Sequence, residues 1–305
     1  MVPVRPLEPS DIPELLALWS SSFPYDPLNP ELVREKIWQD PDFDPDLNVG
    51  VVRGGRLVAF VSAVSRPQYA PGIGWIKLVA LPLGQGETVA VALLEEIESR
   101  LAQRGARVVQ LFDSAPNYLL PGLDPRYTAF LAFAEEHGYR RFDCTANLEA
   151  PLAGKDFDTA GDEARLASQG IEVRRAGPED WEATIAALSR YFPQWVPEAR
   201  RTFDNDPVSL HLALYKGRVV GFAAYDANNL GTGWFGPMGT HPRWRGRGIG
   251  RVLYLRCLRD LQAQGHTKAI IPWVGPIGFY FRVSGATVVR VFWRYRKRVN
   301  RTEEG

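Results

Sequence analysis

The stretch HPRWRGRGIGRVL, residues 241–253, holds three glycines and four arginines between an apolar segment and a pattern typical of a helix. Glycines leave the backbone N–H groups of a turn accessible, and the first turn of a helix adds unpaired donors and the positive end of its dipole. A tight strand-to-helix turn on a solvated surface would explain the arginines, but it would not need the glycines. The sequence therefore predicts an anion site at this turn, with the helix starting at Ile249.

Three kinds of phosphate loop compete for this turn. A P-loop needs a lysine followed by Ser or Thr after its last glycine, and Arg251 followed by Val252 does not fit. The dinucleotide fingerprint spaces its glycines differently and opens a strand–helix–strand unit, so it fits weakly. The third kind holds the pyrophosphate of an acyl-coenzyme A, and the glycines at 246, 248 and 250 leave room for one.

The chain also contains an internal repeat. The longest matching segments predict amphipathic helices with coinciding apolar positions, and each ends at a glycine, Gly105 or Gly265. Each half is therefore expected to run helix, helix, strands, helix, strand, helix, strand. The matched pairs are 4–12 with 173–181, 51–60 with 214–222, and 85–106 with 245–266.

Length and composition fit two globular domains. The chain has 305 residues, 45% of them hydrophobic and 23% charged. We expect domains at 1–150 and 171–305, joined by a polar, small-residue-rich linker at 151–170. A net charge of +1 gives no general attraction to nucleic acid or an acidic membrane. The first residues lack a basic segment followed by an apolar run, and no uncharged stretch is long enough to span a bilayer, so we expect a soluble cytoplasmic protein without a secretory signal. Two cysteines are too few for a disulfide framework.

The turn resembles the coenzyme motif of the GNAT acetyltransferase superfamily, in which Arg or Gln is followed by two residues, Gly, one residue, and Gly or Ala. Arg245, Gly248 and Gly250 fit this motif, and THP at 240–242 and FYFRVSGA at 279–286 extend the resemblance. The resemblance covers nearly the whole chain as two copies. It implies an α/β (α+β) fold of two tandem GNAT-like domains, each a mixed, mostly antiparallel sheet flanked by helices.

The resemblance implies acetyl-CoA as co-substrate, with no metal. In this superfamily the fourth and fifth strands separate, and the backbone of the fourth strand holds the pantetheine arm. Met238, Gly239 and Thr240 would take that part here. The pyrophosphate would lie on the turn, which consists of Arg245, Gly246, Arg247, Gly248, Ile249, Gly250 and Arg251.

The resemblance further implies direct attack of an amine on the thioester, with a tyrosine protonating the leaving thiolate. Tyr280 is the candidate, against the alternative of an aromatic packed at a helix start. The usual spacing to the following glycine would place Phe281 there, and a one-residue bulge would restore Tyr280.

The general base is less clear because the predicted fourth strand has no carboxylate. Asp226 is the nearest candidate, but it also fits a turn former. A water relay to solvent is a further alternative. His241, next to the coenzyme loop, resembles a common family position without a catalytic part.

The first half departs from the motif. Gln85 and Ala90 fit its ends, but Thr88 replaces the first glycine and Glu87 places a negative charge where the second half has Arg247. This half is therefore expected to bind coenzyme poorly or not at all, and to have a structural part.

In the superfamily that this chain resembles, the first two helices and their loop cover the acceptor pocket. In the second half this region contains several aromatic residues. Tyr191, Phe192 and Trp195 are expected to line an acceptor pocket, with packing between the two halves as the alternative. The basic and aromatic residues at 292–301 could contact RNA, but the neutral net charge favours a charge-protected edge strand.

Together with the glycine turn, the resemblance implies an N-acetyltransferase that moves an acetyl group from acetyl-CoA to a primary amine of a small molecule in its C-terminal domain. A non-catalytic acyl-CoA sensor and acetylation of a protein or peptide amine are the alternatives. A monomer or homodimer is expected, with no nucleic-acid or membrane partner.

Overall fold

The computed structural model describes residues 3–84 and 86–299 as helices packed on mostly antiparallel sheets. The helices in these ranges are α1 (Ile12–Ser22), α2 (Pro30–Lys36), α3 (Glu87–Gln103), α4 (Thr128–Glu136), α5 (Ala160–Ala167), α6 (Trp181–Tyr191), α7 (Val196–Arg201), α8 (Ile249–Ala263) and α9 (Ile277–Ser284). The strands are β1 (Val4–Pro6), β2 (Asn48–Arg53), β3 (Arg56–Ser65), β4 (Ile73–Ala80), β5 (Val108–Leu111), β6 (Arg140–Pro151), β7 (Ile171–Arg175), β8 (Leu210–Tyr215), β9 (Arg218–Tyr225), β10 (Phe235–Thr240), β11 (Lys268–Ile271) and β12 (Thr287–Arg298).

The chain divides into two compact units, and both division points fall inside long strands. Unit 1 holds the described residues up to Thr145 and those from Val291 onward, and unit 2 holds Ala146–Arg290. This division differs from the boundaries at 150 and 171 expected from sequence. The last strand of the second half contributes to unit 1 because it hydrogen-bonds to β5 there.

In unit 1 the sheet order runs β1-β2-β3-β4-β5, with β12 between β5 and β6. All pairs from β1 to β4 are antiparallel, whereas β4 and β5 pair in parallel from Ile73↔Val108 to Ile76↔Leu111. The expectation of an edge strand at 292–301 is wrong for its described part, because β12 has a neighbouring strand on each side. Residues 300 and 301 lie outside the described residues.

Unit 1 buries a network of charges beside β4. Lys77 of β4 pairs with Asp40 and donates to the carbonyl of Lys36 (2.5 Å), while Arg66 donates to Asp40 at 2.8 Å. Asn117 donates to the same carboxylate at 2.9 Å. Burial lowers the pKa of Lys77 to about 8, against the opposing attraction of Asp40. The charges compensate one another inside the protein, so this region holds its own ionic partners.

In unit 2, β7 to β10 form an antiparallel sheet in the order β10-β9-β8-β7, and β11 pairs with the second part of β6. Helix α8 packs with an apolar stripe at helical spacing, as the sequence predicts. Each residue of the stripe has at most 1% of its surface exposed: Ile249, Leu253, Cys257 and Leu261.

Residues 151–170, expected as a linker, contain the end of β6 and helix α5. Leu166 of α5 is fully buried in the core of unit 2. Burial of one leucine side chain is worth about 2 kcal/mol, so α5 is anchored in this unit. The helix is short and polar on its other faces, which explains why its composition resembled a linker.

Candidate active site

The turn between β10 and α8 has a backbone that requires glycine at two positions. A short 3-10 turn at Pro242–Trp244 follows β10, and Gly248 caps the N-terminus of α8. Gly246 and Gly248 have φ angles of 78° and 87°, the left-handed region that other residues enter at a cost of about 1–2 kcal/mol. The glycines predicted from sequence therefore shape the loop.

The loop presents a row of backbone donors without internal partners. Within the described residues, no oxygen accepts a hydrogen bond from the N–H groups of residues 246–250. Those at the start of α8 also carry the positive end of the helix dipole. This arrangement can hold a phosphate or another anion through the main chain alone.

The arginines of the loop have different contacts. Arg245 Nε donates to the carbonyl of Thr240 (3.2 Å) and ties the turn to β10. The Arg247 guanidinium lies 5.0 Å from the ring centre of Trp244, and Arg251 Nε donates to Asp162 (3.1 Å). The charge of the loop is therefore partly engaged by protein groups.

Sequence reasoning missed one cation at this loop. Arg165 of α5 donates from Nη1 to the carbonyl of Arg247 at 2.9 Å, and its Nη2 lies 2.6 Å from where a Cβ on Gly248 would stand. The signal available was the helical spacing of Asp162, Arg165 and Leu166, in a segment interpreted as linker.

Strand β10 leaves one edge without a partner strand. Met238, Gly239 and Thr240 pair with β9 on one side. β10 ends its sheet, and among the described residues no strand pairs with the other edge of residues 238–240. The parallel strand β11 meets the chain only just before β10, where Trp234 and Ile270 form an isolated bridge. The two strands therefore separate toward the loop, and the free edge can pair with an extended ligand.

Tyr280 is buried on α9, with 7% of its surface exposed. Its ring packs on Phe235 and Tyr254, with ring centres 6.1 and 5.2 Å away. Helix α9 is regular and has no bulge, and Phe281 is 59% exposed. Burial raises the pKa of Tyr280, so its hydroxyl stays protonated at neutral pH. Its catalytic part stays a prediction.

Asp226 closes the loop that follows β9. Its Oδ1 accepts from the N–H of Gly231 (3.3 Å) and its Oδ2 from Gln264 (3.1 Å). The residue has a φ of 48° and is buried. These contacts favour the turn-forming alternative, and a part in catalysis stays a prediction.

Two of the three predicted acceptor aromatics lie next to β10 and the turn that follows it in unit 2. Phe192 would lie 2.9 Å from a Cβ on Gly239, and the Tyr191 ring centre is 4.3 Å from that of His241. Tyr191, Phe192 and His241 line a shallow pocket that is open to solvent. Trp195 stacks on Phe192, and both pack against Phe222 of the same unit.

The sequence matches the Acetyltransferase (GNAT) family twice, over residues 12–119 and 176–280. The chain belongs to the GNAT acetyltransferase family. The prediction of two tandem GNAT domains with mixed, mostly antiparallel sheets is thereby confirmed.

Among its relatives is the mycothiol acetyltransferase of Thermobifida fusca (strain YX), 26% identical over 209 residues. The match covers 60% of this chain and 59% of that enzyme. The fold is shared with an N-acetyltransferase from Sphaerobacter thermophilus (TM-score 0.67, 21% identity, 98% of this chain and 96% of that one). A tandem GNAT protein from the clavulanic acid biosynthesis pathway is also similar (TM-score 0.65, 14% identity, 97% and 98% coverage).

The GNAT repeat in unit 1 uses its loop amides internally. Glu87 N–H donates to the carbonyl of Gly84 (3.2 Å), and the N–H groups of Val89 and Ala90 donate to that of Gly86 (2.9 and 3.2 Å). The corresponding donors in unit 2 belong to residues 247, 249 and 250. Gln85, which fits the motif, lies outside the described residues.

Two features are absent from the described ranges. None of the helices there combines the length and apolarity needed to cross a bilayer. No three His, Cys, Asp or Glu side chains in the same ranges group as metal ligands.

Proposed function

We propose that this chain transfers the acetyl group of acetyl-CoA to a primary amine of a small molecule, in its C-terminal GNAT module. The observation that carries the proposal is the row of unpartnered amides at 246–250 next to the free edge of residues 238–240. A coenzyme with a diphosphate and an extended amide-containing arm matches these two features together.

The coenzyme would bind mainly through the main chain. Loop amides from Gly246 to Gly250 hold the diphosphate, and Arg247 and Arg251 add positive charge. The pantetheine arm lies along the free edge of β10 at residues 238–240. The thioester then lies where β10 and β11 separate.

The reaction is attack of the amine nitrogen on the thioester carbonyl carbon. A C–N bond forms, the C–S bond breaks, and Tyr280 donates its proton to the departing thiolate. The ammonium loses a proton first. Asp226 is the carboxylate predicted for this step, but its oxygens are engaged, so a water path to solvent fits the contacts better.

The acceptor would lie against Tyr191, Phe192 and Trp195. Phe192, which lines the open pocket beside His241, packs next to Gly239, so an acceptor there would lie close to the strand that holds the thioester.

A second candidate is a sensor that binds acyl-CoA without catalysis. The specific observation in its favour is that β10, with the sequence FGPMGT, has no carboxylate. Binding would then be intact and turnover absent.

Calorimetry with acetyl-CoA tests the binding step. We expect one site per chain, in unit 2, because the corresponding amides of unit 1 are hydrogen-bonded internally. No binding at all would contradict the proposed function. Two equal sites would contradict the expectation that unit 1 does not bind coenzyme.

A thiol-release assay separates the enzyme from the sensor. The panel would contain amino acids, polyamines, aminoglycosides and glucosamine, with lysine peptides as the alternative acceptor class. Release of coenzyme A with a small amine supports the transferase. Intact binding with no release across the panel supports the sensor.

A further inference from the structure

Helix α5 places one cation, Arg165, and one anion, Asp162, against the turn at residues 245–251. Arg165 donates to the carbonyl of Arg247 and, from Nη2, to Oδ1 of Asp162 at 2.7 Å. The other oxygen of Asp162 accepts from Arg251 Nε at 3.1 Å. One carboxylate thus bridges two guanidinium groups at the N-terminus of α8.

This bridge occupies groups that suit a phosphate. Guanidinium groups bind carboxylates and phosphates with the same planar pairs of N–H donors. The hydrogen bond from Arg165, followed by that from Arg251, lowers the pKa of Asp162, so this carboxylate is charged at neutral pH. Both arginine side chains are 45% exposed, so a ligand in solvent can reach them.

We propose that Arg165 is a phosphate-binding residue of the coenzyme site and that Asp162 pairs with Arg165 and Arg251 until the phosphates replace it. The proposal rests on the proposed function, because it adds a residue from outside the glycine loop to that same site. The guanidinium of Arg165 already lies over Gly248, so it needs no large movement to reach an anion on the loop amides.

Calorimetry with coenzyme A on the full chain tests this. Arg165→Ala is expected to weaken binding about tenfold, the effect of one partly solvated charge-assisted hydrogen bond. Raising the salt concentration should weaken wild-type binding more than Arg165→Ala binding, since the variant has one phosphate contact fewer. Arg165→Lys should lie between the two, because it keeps the charge and loses the fork.

Arg259→Ala is the matched control. Arg259 is exposed on the same helix as Arg251, two turns further along and about 12 Å away. It removes the same charge and should leave binding unchanged. If Arg259→Ala weakened coenzyme A binding as much as Arg165→Ala, the effect of Arg165 would be explained by net charge alone, and the proposal would be overturned.

Asp162→Asn tests the second half of the proposal. It is expected to tighten binding two- to fivefold, because two arginines lose a competing carboxylate; weaker binding would overturn the replacement by phosphate. Unchanged affinity in Arg165→Ala, with normal wild-type binding, would overturn only this inference. Absence of wild-type binding would instead overturn the proposed function.

Discussion

The two repeats begin their central helices differently, although the apolar positions of the two helices coincide. In unit 1, α3 starts at Glu87, and its loop amides donate to Gly84 and Gly86. In unit 2, α8 starts only at Ile249, because Gly248 holds a left-handed conformation just before it. Thr88, which matches Gly248, is instead helical. One glycine therefore decides whether the amides serve the helix or remain available to a ligand.

The preceding strands differ in the same sense. Residues 78–80 of β4 are buried, whereas Met238 and Thr240 of β10 are half-exposed. In the register that matches Gln85 with Arg245, Lys77 corresponds to Pro237. Lys77 enters the ionic network with Asp40, and Pro237 brings no charge. The corresponding strand segment is therefore buried in unit 1 and accessible in unit 2.

The largest effect is expected from Gly248→Trp. The substitution removes the left-handed cap and fills the space over the loop, so at least two hydrogen bonds to a charged phosphate are lost. We expect coenzyme A affinity to fall at least a thousandfold, about 4 kcal/mol, measured by calorimetry.

The matched control for this change is Thr88→Trp in unit 1. Thr88 is exposed at the corresponding position of α3, so affinity and stoichiometry should stay at wild-type values. A loss of binding in Thr88→Trp would mean that unit 1 also holds coenzyme.

Lys77→Met tests the buried ionic network of unit 1. Removing one partner leaves Asp40 buried beside Arg66 without its second cation, and breaking a buried pair costs about 3 to 4 kcal/mol. Urea unfolding should show this loss, whereas Lys155→Met, on the exposed surface of unit 2, should change stability by less than about 0.5 kcal/mol. Equal stability of Lys77→Met and wild type would mean that the network is dispensable.

Asp113 adds a pH dependence to unit 1. Burial raises the pKa of Asp113 to about 7, although Arg294 pairs with it at 2.7 Å. A carboxyl with a raised folded-state pKa holds its proton longer than the unfolded chain does. Its contribution is therefore present at low pH and is lost as pH rises from about 4 to 7, by about 3 kcal/mol.

Asp113→Asn should remove this decline, because the amide does not titrate. The difference in unfolding free energy between variant and wild type, measured by urea at pH 4, 5, 6 and 7, isolates the contribution of this residue. Parallel curves for the two proteins would show that folding does not shift the pKa of Asp113.

Local patterns allowed much of this structure to be predicted. The repeat, the apolar stripe of α8 and the glycine turn each depend on residues close together in sequence, and their physics is local. The pairing of β12 with β5 could not be predicted, because a strand sequence does not specify which sheet edge it joins. The ionic network joins residues from Lys36 to Asn117, and only the fold brings them together.

The candidate site divides in the same way, into residues that local patterns predict and residues that only the fold reveals. The loop residues 245–251 could be named because their backbone needs are visible as glycines. Arg165 was missed because its helix is short and polar. The sequence could not decide the role of Asp226, because that role depends on the hydrogen-bond partners of its carboxylate. Tyr280 was named from a resemblance, and α9 contains no bulge to restore the usual spacing.

Tyr280→Phe addresses that residue directly. If its protonated hydroxyl serves the leaving thiolate, kcat should fall about a hundredfold with KM for acetyl-CoA unchanged. Tyr254→Phe is the control, since Tyr254 is a buried neighbour whose hydroxyl pairs with Ser284 at 2.8 Å. Equal rates for Tyr280→Phe and wild type would assign Tyr280 to packing.

The smallest expected effect comes from Glu87→Arg in unit 1, which gives this loop the charge that Arg247 gives the other. If charge alone separated the two loops, the variant would gain a coenzyme site. Its amides would still donate to Gly84 and Gly86, so a phosphate would have to break helix hydrogen bonds to bind. Calorimetry should therefore still show one site per chain with unchanged affinity. A second site in Glu87→Arg would mean that repulsion by the Glu87 carboxylate, rather than backbone conformation, prevents the first repeat from binding coenzyme.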